Sequence, residues 1–242
     1  MYYRDNRRRR FNWRRLVVGT FLLGSIFGGC GAIDDYLNGS NNPMSPLPQQ
    51  NNTMQELNAT QKQLRSLLGL FVGRKWEYEG EGNEFAAFKA EVLYSAGNRF
   101  QIMEDNGGTV LARIIELRDD GAYEIDTRGE QYERKNLLSD KALDTRDQTK
   151  DAKIIPWPLN TNQKWLFADG SSVRLVDTNL RHTVPAGTFA NVVQVESSRS
   201  NGPDVPASIV DRYYASETGL IERTFHEGDT AVSSRLAHSS GP

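Results

Sequence analysis

Three glutamates in one short segment come nearest to a catalytic spacing. Glu77, Glu79 and Glu81 alternate along the sequence KWEYEGE, so in a β-strand they share one face. Glycoside hydrolysis needs two carboxylates about 5–10 Å apart, and strand neighbours at i and i+2 fall in that range. Because Trp76 and Tyr78 alternate with the glutamates, a solvated charged face opposite an apolar face explains the same pattern. A hydrolase is therefore the least favoured of the functions that the sequence suggests.

The sequence lacks the other spacings that would predict catalysis or metal binding. His182, His226 and His238 are its only histidines, and no two of them are spaced as ligands on one helical face. It has no Gly-x-Ser-x-Gly elbow, no Ser-x-x-Lys motif and no glycine-rich phosphate loop followed by a helix. We therefore predict no catalytic residues, no metal site and no cofactor.

The first thirty residues have the organisation of an export signal. Residues 1–15 hold seven arginines and one aspartate, and an apolar run follows at 16–27 before Gly28, Gly29 and Cys30. Arginines stay on the cytoplasmic side of a membrane, so the chain beyond them is directed outwards. Residues 1–29 are predicted to be a lipoprotein-type signal peptide. An uncleaved anchor is the alternative, although the glycine-rich run is marginal in length for a transmembrane helix.

Cys30 is the only cysteine of the chain and lies where a signal peptidase would cut. The segment resembles the lipobox of bacterial lipoproteins, in which small residues precede a cysteine that is lipidated and becomes the new N-terminus. This resemblance implies a lipid on Cys30 and attachment to the extracytoplasmic face of a bacterial membrane, at the cell surface or the outer membrane. Removal of residues 1–29 leaves 22 basic and 30 acidic residues, a net charge of −8 that disfavours nucleic acid as a partner.

Two further segments precede the main domain. Residues 30–52 are rich in Asn, Gly, Ser, Pro and Gln, a composition typical of a flexible tether. Residues 53–70 place leucines at helical spacing, and Thr53 with Glu56 fits a capping box. This helix either packs its leucine face on the following domain or binds a partner or a membrane surface.

From residue 71 to 238 the pattern changes to the period of β-strands. Short alternating runs recur between turn dipeptides, which predicts consecutive antiparallel strands. Asn106-Gly107 favours a type I′ turn, in which both residues need positive φ. The segment Gly-Arg-Lys-Trp at 73–76 is echoed by Asn-Gln-Lys-Trp at 162–165, which suggests an internal duplication into two curved halves. Residues 239–242 are predicted to be a tail.

Several segments of this domain resemble a known group of proteins. They are KWEYEGEGNEFA at 75–86, IPWPLNTNQKW at 155–165, VPAGTFANVVQV at 184–195 and YYASETGLIE at 213–222. These look like uncharacterised bacterial membrane-anchored lipoproteins with a single curved antiparallel β domain. The resemblance implies a mainly β fold, a strongly curved antiparallel sheet or half-barrel preceded by one short amphipathic helix. More remotely, the succession of hairpins is similar to half-barrel carriers of lipids or lipoproteins.

Five aromatic residues are the candidates for ligand binding: Trp76, Tyr78, Trp165, Tyr213 and Tyr214. Inward aromatics either line a cavity or fill a core, while consecutive tyrosines necessarily face opposite sides of a strand. The sequence thus favours a binding or scaffolding module of the cell envelope. The alternative is a carrier of a lipid or other apolar ligand. The expected partners are the membrane, through the lipid anchor, and either an unidentified envelope protein or an apolar ligand, with no nucleic acid.

Overall fold

The computed structural model describes residues 56–202 and 205–242. The predicted signal peptide at 1–29, Cys30 and the tether at 30–52 lie outside these residues. None of the helices in the described ranges has the length and apolar character needed to cross a membrane.

The described chain is mainly β-strand, and all of its strands belong to one sheet. Its helices are α1 (Ala59–Leu67), α2 (Ala142–Thr145) and a 3-10 helix (Gln148–Lys150). Its strands are β1 (Lys75–Glu81), β2 (Phe88–Ala96), β3 (Arg99–Asp105), β4 (Val110–Arg118), β5 (Gly121–Arg128), β6 (Ala152–Pro156), β7 (Lys164–Leu166), β8 (Ser172–Val184), β9 (Gly187–Arg199), β10 (Ser208–Ala215), β11 (Gly219–Glu227) and β12 (Thr230–Ser240). The strand order is β6-β5-β4-β3-β2-β1-β12-β11-β10-β9-β8-β7, and every pairing is antiparallel. The predicted mainly β fold, one antiparallel sheet preceded by a short helix, is confirmed.

The sheet consists of two six-stranded meanders. Strands β1–β6 form the first and β7–β12 the second, and the pairing of β1 with β12 joins them. The two Lys-Trp segments noted in the sequence begin β1 and β7, the first strand of each meander. Local alternation explains the strands themselves, since in β1 Trp76 and Tyr78 are buried between exposed charged residues.

The sheet is curled until its two edges meet. In a flat sheet of twelve strands β6 and β7 would be about 50 Å apart, since neighbouring strands are spaced about 4.8 Å. Instead the indole Nε1 of Trp165 in β7 donates to the carbonyl of Lys153 in β6 at 2.6 Å. No strand ladder joins β6 to β7 in the described chain. We call this contact between the two edge strands, which are not paired through their backbones, the seam.

Helix α1 packs its leucine face into the main core, together with the inner face of the sheet. Leu64 and Leu67 are buried there, and the helix begins with a capping box between Asn58 and Gln61. The sequence predicts that box at Thr53 and Glu56; Thr53 lies outside the described residues, and Glu56 precedes the helix. The predicted type I′ turn at Asn106-Gly107 is wrong, because only Gly107 has positive φ and four residues separate β3 from β4.

A second, smaller core lies on the outer face of the first meander. It contains Ala112 and Ile114 of β4 together with Leu137, Leu138 and Leu143 from the segment 129–151. Ion pairs hold the same segment in place, because Arg146 bonds to Asp151 at 3.0 Å and Arg118 bonds to Asp151 as well. The segment 129–151 therefore covers part of the outer face of the first meander.

Candidate ligand-binding site inside the sheet

Five charged side chains lie on the inner face of the sheet: Glu104, Arg113, Glu124, Arg212 and Arg223. Strand register places them there, since Arg113 is opposite Ile102, Glu124 is opposite the buried Ile115, and Arg212 is opposite the buried Val195. Glu104 lies two residues from Ile102 on β3, and Arg223 is opposite Arg212. The two meanders therefore both contribute charge to one interior, and we call this set the inner charge cluster.

Arg113 lies between two carboxylates of its own meander. Its Nη1 donates to Glu104 at 3.0 Å, and its Nε donates to Glu124 at 2.8 Å. The side chains of Arg113, Glu104 and Glu124 are 25%, 15% and 21% exposed, so water reaches this part of the interior. Ion pairs at this depth are stable only when both partners are present, because each charge has lost most of its solvation.

Arg212 and Arg223 have no such partners. They are directly opposite each other on β10 and β11, and neither forms an ion pair with a residue that the structure describes. Arg212 donates to the hydroxyl of Ser197 at 3.0 Å, and the guanidinium of Arg223 lies 4.9 Å from the ring centroid of Phe88. Like charges directly opposite on a sheet repel, and neither contact neutralises a charge.

The pKa values show that the charges of the two meanders act on one another. Burial would raise the pKa of Glu104, but Arg113, Arg223 and Arg212 together lower it below its ordinary value. Burial also opposes the charge of Arg113, yet Glu104 and Glu124 raise its pKa. The pKa of Arg212 is lowered, first by burial and then by the positive charges of Arg223 and Arg113, against the opposing effects of Tyr214 and Glu124.

Two of the predicted ligand residues lie beside this cluster. Tyr78 stacks on Phe88 with ring centroids 4.2 Å apart, and its hydroxyl donates to the carbonyl of Leu220 at 2.8 Å. Tyr214 is buried two residues from Arg212, and its hydroxyl forms no hydrogen bond with the described residues. Burial raises the pKa of both tyrosines, so each phenol stays protonated and able to donate.

The other three predicted residues have separate positions. Trp76 is buried, and its indole donates to the carbonyl of Thr218 at 2.6 Å, while Trp165 bridges the seam. Tyr213 faces the opposite side from Tyr214 and stacks on His182 at 4.1 Å between centroids. The structure thus brings Tyr78 and Tyr214 together at the inner charge cluster and leaves Trp76, Trp165 and Tyr213 elsewhere.

The histidines and the alternating glutamates lie apart from the cluster. His182 contacts Glu222 at 2.8 Å and His226 lies 4.0 Å from Asp211. Glu77 pairs with Lys89 at 3.0 Å, and Glu81 pairs with Arg235 at 3.1 Å. All four side chains lie at the surface. Within the described ranges no three His, Cys, Asp or Glu side chains are grouped as metal ligands.

The charged members of the cluster were missed in the sequence, although a signal for them exists. Arg113 interrupts the apolar run VLARIIEL at a position whose parity matches the buried Ile115 and Leu117. Arg212 is likewise two residues from the buried Tyr214 on β10, so both side chains point to the same face of the sheet. A charged residue at an inward position of an otherwise apolar strand is the pattern that would have identified them.

Comparison with known proteins gives two distant structural similarities. The chain matches no model of a known protein family and no curated protein. It is similar to the crystal structure of a protein from Bacteroides fragilis, designated as exported with a YmcC-like fold, at 10% identity and a TM-score of 0.41, over 72% of this chain and 99% of that one. It is also similar to a protein from Parabacteroides distasonis designated a lipoprotein, at 13% identity and a TM-score of 0.34, over 72% and 98%.

Proposed function

We propose that this protein is a cell-envelope lipoprotein whose β domain is a binding module that takes a small ligand into the interior of its sheet. The observation that supports it best is the inner charge cluster, in which five charged side chains from both meanders face one interior. Charged groups inside a fold cost solvation energy, and apolar residues of similar size would stabilise the sheet as well or better. Such groups are typical of functional sites rather than of packing.

The same cluster favours a polar ligand over a wholly apolar one. An apolar molecule placed against Arg212 and Arg223 would remove their water without replacing its hydrogen bonds. Apolar carriers are lined mainly by hydrophobic side chains, with few polar groups. A lipid remains a candidate ligand only if its polar part meets the arginines.

Interior binding is tested by native mass spectrometry of the full chain, extracted from bacterial membranes in mild detergent. We expect an adduct that is lost on denaturation. Ile102 and Met103 offer a matched pair of variants, since they are neighbours on β3 facing opposite sides of the sheet and both are half-buried. Ile102→Trp should fill the interior and lower the occupancy of the adduct, whereas Met103→Trp should not. Equal occupancy in both variants, or no adduct in any sample, would count against the proposal.

The membrane attachment is tested separately, at Cys30. The mature protein should begin at this residue and have the mass of a lipidated cysteine, and Cys30→Ser should abolish the modification and release the protein from the membrane fraction. An N-terminus upstream of residue 30 on membrane-bound protein would indicate an uncleaved anchor instead.

A further inference from the structure

We infer that Arg212 and Arg223 form an oxyanion site, and that the ligand of the β domain bears a carboxylate or a phosphodiester of one negative charge. This inference rests on the proposed function, interior binding, and names the chemical class of the ligand. It depends on three observations: the charge balance of the cluster, the unused donors of the two arginines and the surroundings of their side chains.

The charge balance leaves one positive charge without compensation. The cluster contains three guanidiniums and two carboxylates, and both carboxylates bond to Arg113. Arg212 and Arg223 bond to neither carboxylate, although both interact electrostatically with Glu104. A ligand with one negative charge would make the interior neutral, whereas a neutral ligand would leave the excess in place.

Three half-buried arginines at the outer face of the first meander have carboxylate partners. Arg99 is bonded to Glu116 at 2.8 Å, and Arg118 is bonded to the same glutamate at 2.7 Å. Arg146 is bonded to Asp151 at 3.0 Å. Arg65 and Arg74 are also half-buried without an ion pair in the described chain, and both lie over the ring of Phe71. What distinguishes Arg212 and Arg223 is that they are directly opposite each other inside the sheet.

The geometry of the pair suits an oxyanion. Residues directly opposite on antiparallel strands have Cα atoms about 4.5–5.5 Å apart, so two guanidiniums reach one small group. Each guanidinium has five N–H donors in a planar fork that matches the oxygens of a carboxylate or phosphate. Arg212 directs one hydrogen bond to Ser197, and Arg223 makes none with the described residues. Most of these donors are consequently available to a ligand.

The surroundings would strengthen such a contact. The hydroxyl of Tyr214 is a further unused donor on the same face as Arg212, while Val195 and Phe88 supply apolar walls. Charge-assisted hydrogen bonds are stronger where water is scarce, because the local dielectric is low. Tyr214 is expected to donate to the same anion as the arginines.

The test measures the thermal unfolding of the full chain in mild detergent, freed of its adduct by denaturation and refolding, with acetate, dimethyl phosphate, acetamide or chloride as additive. Chloride brings the acetamide sample to the ionic strength of the others. Acetate or dimethyl phosphate should raise the unfolding midpoint above the chloride and acetamide samples, because a ligand of the folded state stabilises it in proportion to its occupancy. Acetamide matches acetate in shape but lacks the charge. If neither anion differs from acetamide, the inference is overturned without recourse to any variant.

Variants locate the effect. Arg212→Gln and Arg223→Gln should each weaken the response to the anions about tenfold or more, since each removes charge-assisted hydrogen bonds. Arg235→Gln is the matched control, because Arg235 lies on the outer face of β12 and pairs with the exposed Glu81. An anion response that persists in the double variant at residues 212 and 223 would contradict the site. Arg212→Lys, which keeps the charge and loses the fork, should give an intermediate response if the glutamine variants do not fold.

Failure of the anion site and failure of interior binding give different results. A neutral adduct that Ile102→Trp removes, and that the variants at residues 212 and 223 retain, would overturn the oxyanion site and leave the binding module intact. Absence of both an adduct and an anion response would remove both proposals. If the anion response is found, the mass of the species released from the membrane-extracted protein distinguishes a lipid-borne anion from a free one.

Discussion

In the first meander the inner arginine is Arg113, and it lies between Glu104 and Glu124. In the second meander Arg212 and Arg223 lie opposite each other, and neither bonds to a carboxylate within the described residues. Both arrangements belong to one sheet and one interior, so a general tolerance of the fold for buried charge does not explain the difference. In the first arrangement the protein's own carboxylates compensate the arginine, whereas in the second a bound anion would have to supply the compensating charge.

Removing Arg113 should have the largest effect. Arg113→Gln would leave Glu104 and Glu124 in the interior without a bonded partner, and the free energy of unfolding should fall by about 3 kcal/mol. Chemical denaturation of the full chain measures this change. Arg134→Gln, which breaks a more exposed pair with Glu91, should cost less than about 1 kcal/mol. Equal losses in the two variants would mean that the inner ion pairs are no better shielded than surface ones.

The outer face of the first meander should be nearly as sensitive. Asp151 is only 2% exposed and is bonded to both Arg118 and Arg146, so Asp151→Asn should lower the free energy of unfolding by about 2 kcal/mol. The control is Asp144→Asn, since Asp144 is 67% exposed and bonds to Arg99 at 2.7 Å. We expect less than about 0.5 kcal/mol there. A small effect at Asp151 would show that apolar contacts alone hold the segment 129–151.

The paired carboxylates should make the first meander sensitive to acid. Burial opposes the charge of Glu104 and Glu116, but neighbouring arginines lower both pKa values below 4.5 in the folded protein. Their stabilisation is therefore present above about pH 4.5 and is lost as the pH falls through the lower folded values. The free energy of unfolding, measured between pH 7 and 3, should show this loss. In Glu104→Gln the change of that free energy with pH should be smaller by at most about 1.4 kcal/mol per pH unit. If the free energy of unfolding of Glu104→Gln changed with pH as in the unmodified protein, Glu104 would not be a source of the acid sensitivity.

The smallest effect, and the one that separates the meanders most clearly, is expected from Arg212→Gln. In bis-tris chloride, without carboxylate or phosphate, this variant should leave the free energy of unfolding unchanged or raise it by up to about 1 kcal/mol, because it relieves the repulsion from Arg223. The two variants differ in the second contact that they remove: Arg212→Gln breaks the hydrogen bond to Ser197, whereas Arg223→Gln removes the contact with Phe88. Destabilisation as large as that of Arg113→Gln would mean that Arg212 is as structural as Arg113.

Local sequence patterns predict most of the strands and the packing of the helix. The alternation of Trp76 and Tyr78 with charged residues predicts β1, and the leucine spacing predicts the buried face of α1. Short turns predict antiparallel neighbours within each meander. These features depend on residues close together in the chain, where periodicity and turn chemistry act directly.

The pairing of β1 with β12 and the inner charge cluster are long-range features. Glu104 and Arg223 come from strands more than a hundred residues apart, and only the closure of the sheet brings them together. Bulges add to the difficulty, because the register shift between Tyr213 and Tyr214 changes which residues of β11 face inwards. The five predicted aromatic residues were chosen by type, and two of the five lie at the cluster because of this long-range geometry.

The seam between β6 and β7 has a mechanical consequence for the interior. In a closed barrel the number of strands and their stagger fix the diameter, because every strand is held by ladders on both sides. Here one boundary is held by side chains, with Trp165 reaching the carbonyl of Lys153, so the sheet obeys no such rule. The width of the interior is therefore free of that constraint at the seam. Repulsion between Arg212 and Arg223 favours a wider interior, and a bound anion would remove that repulsion.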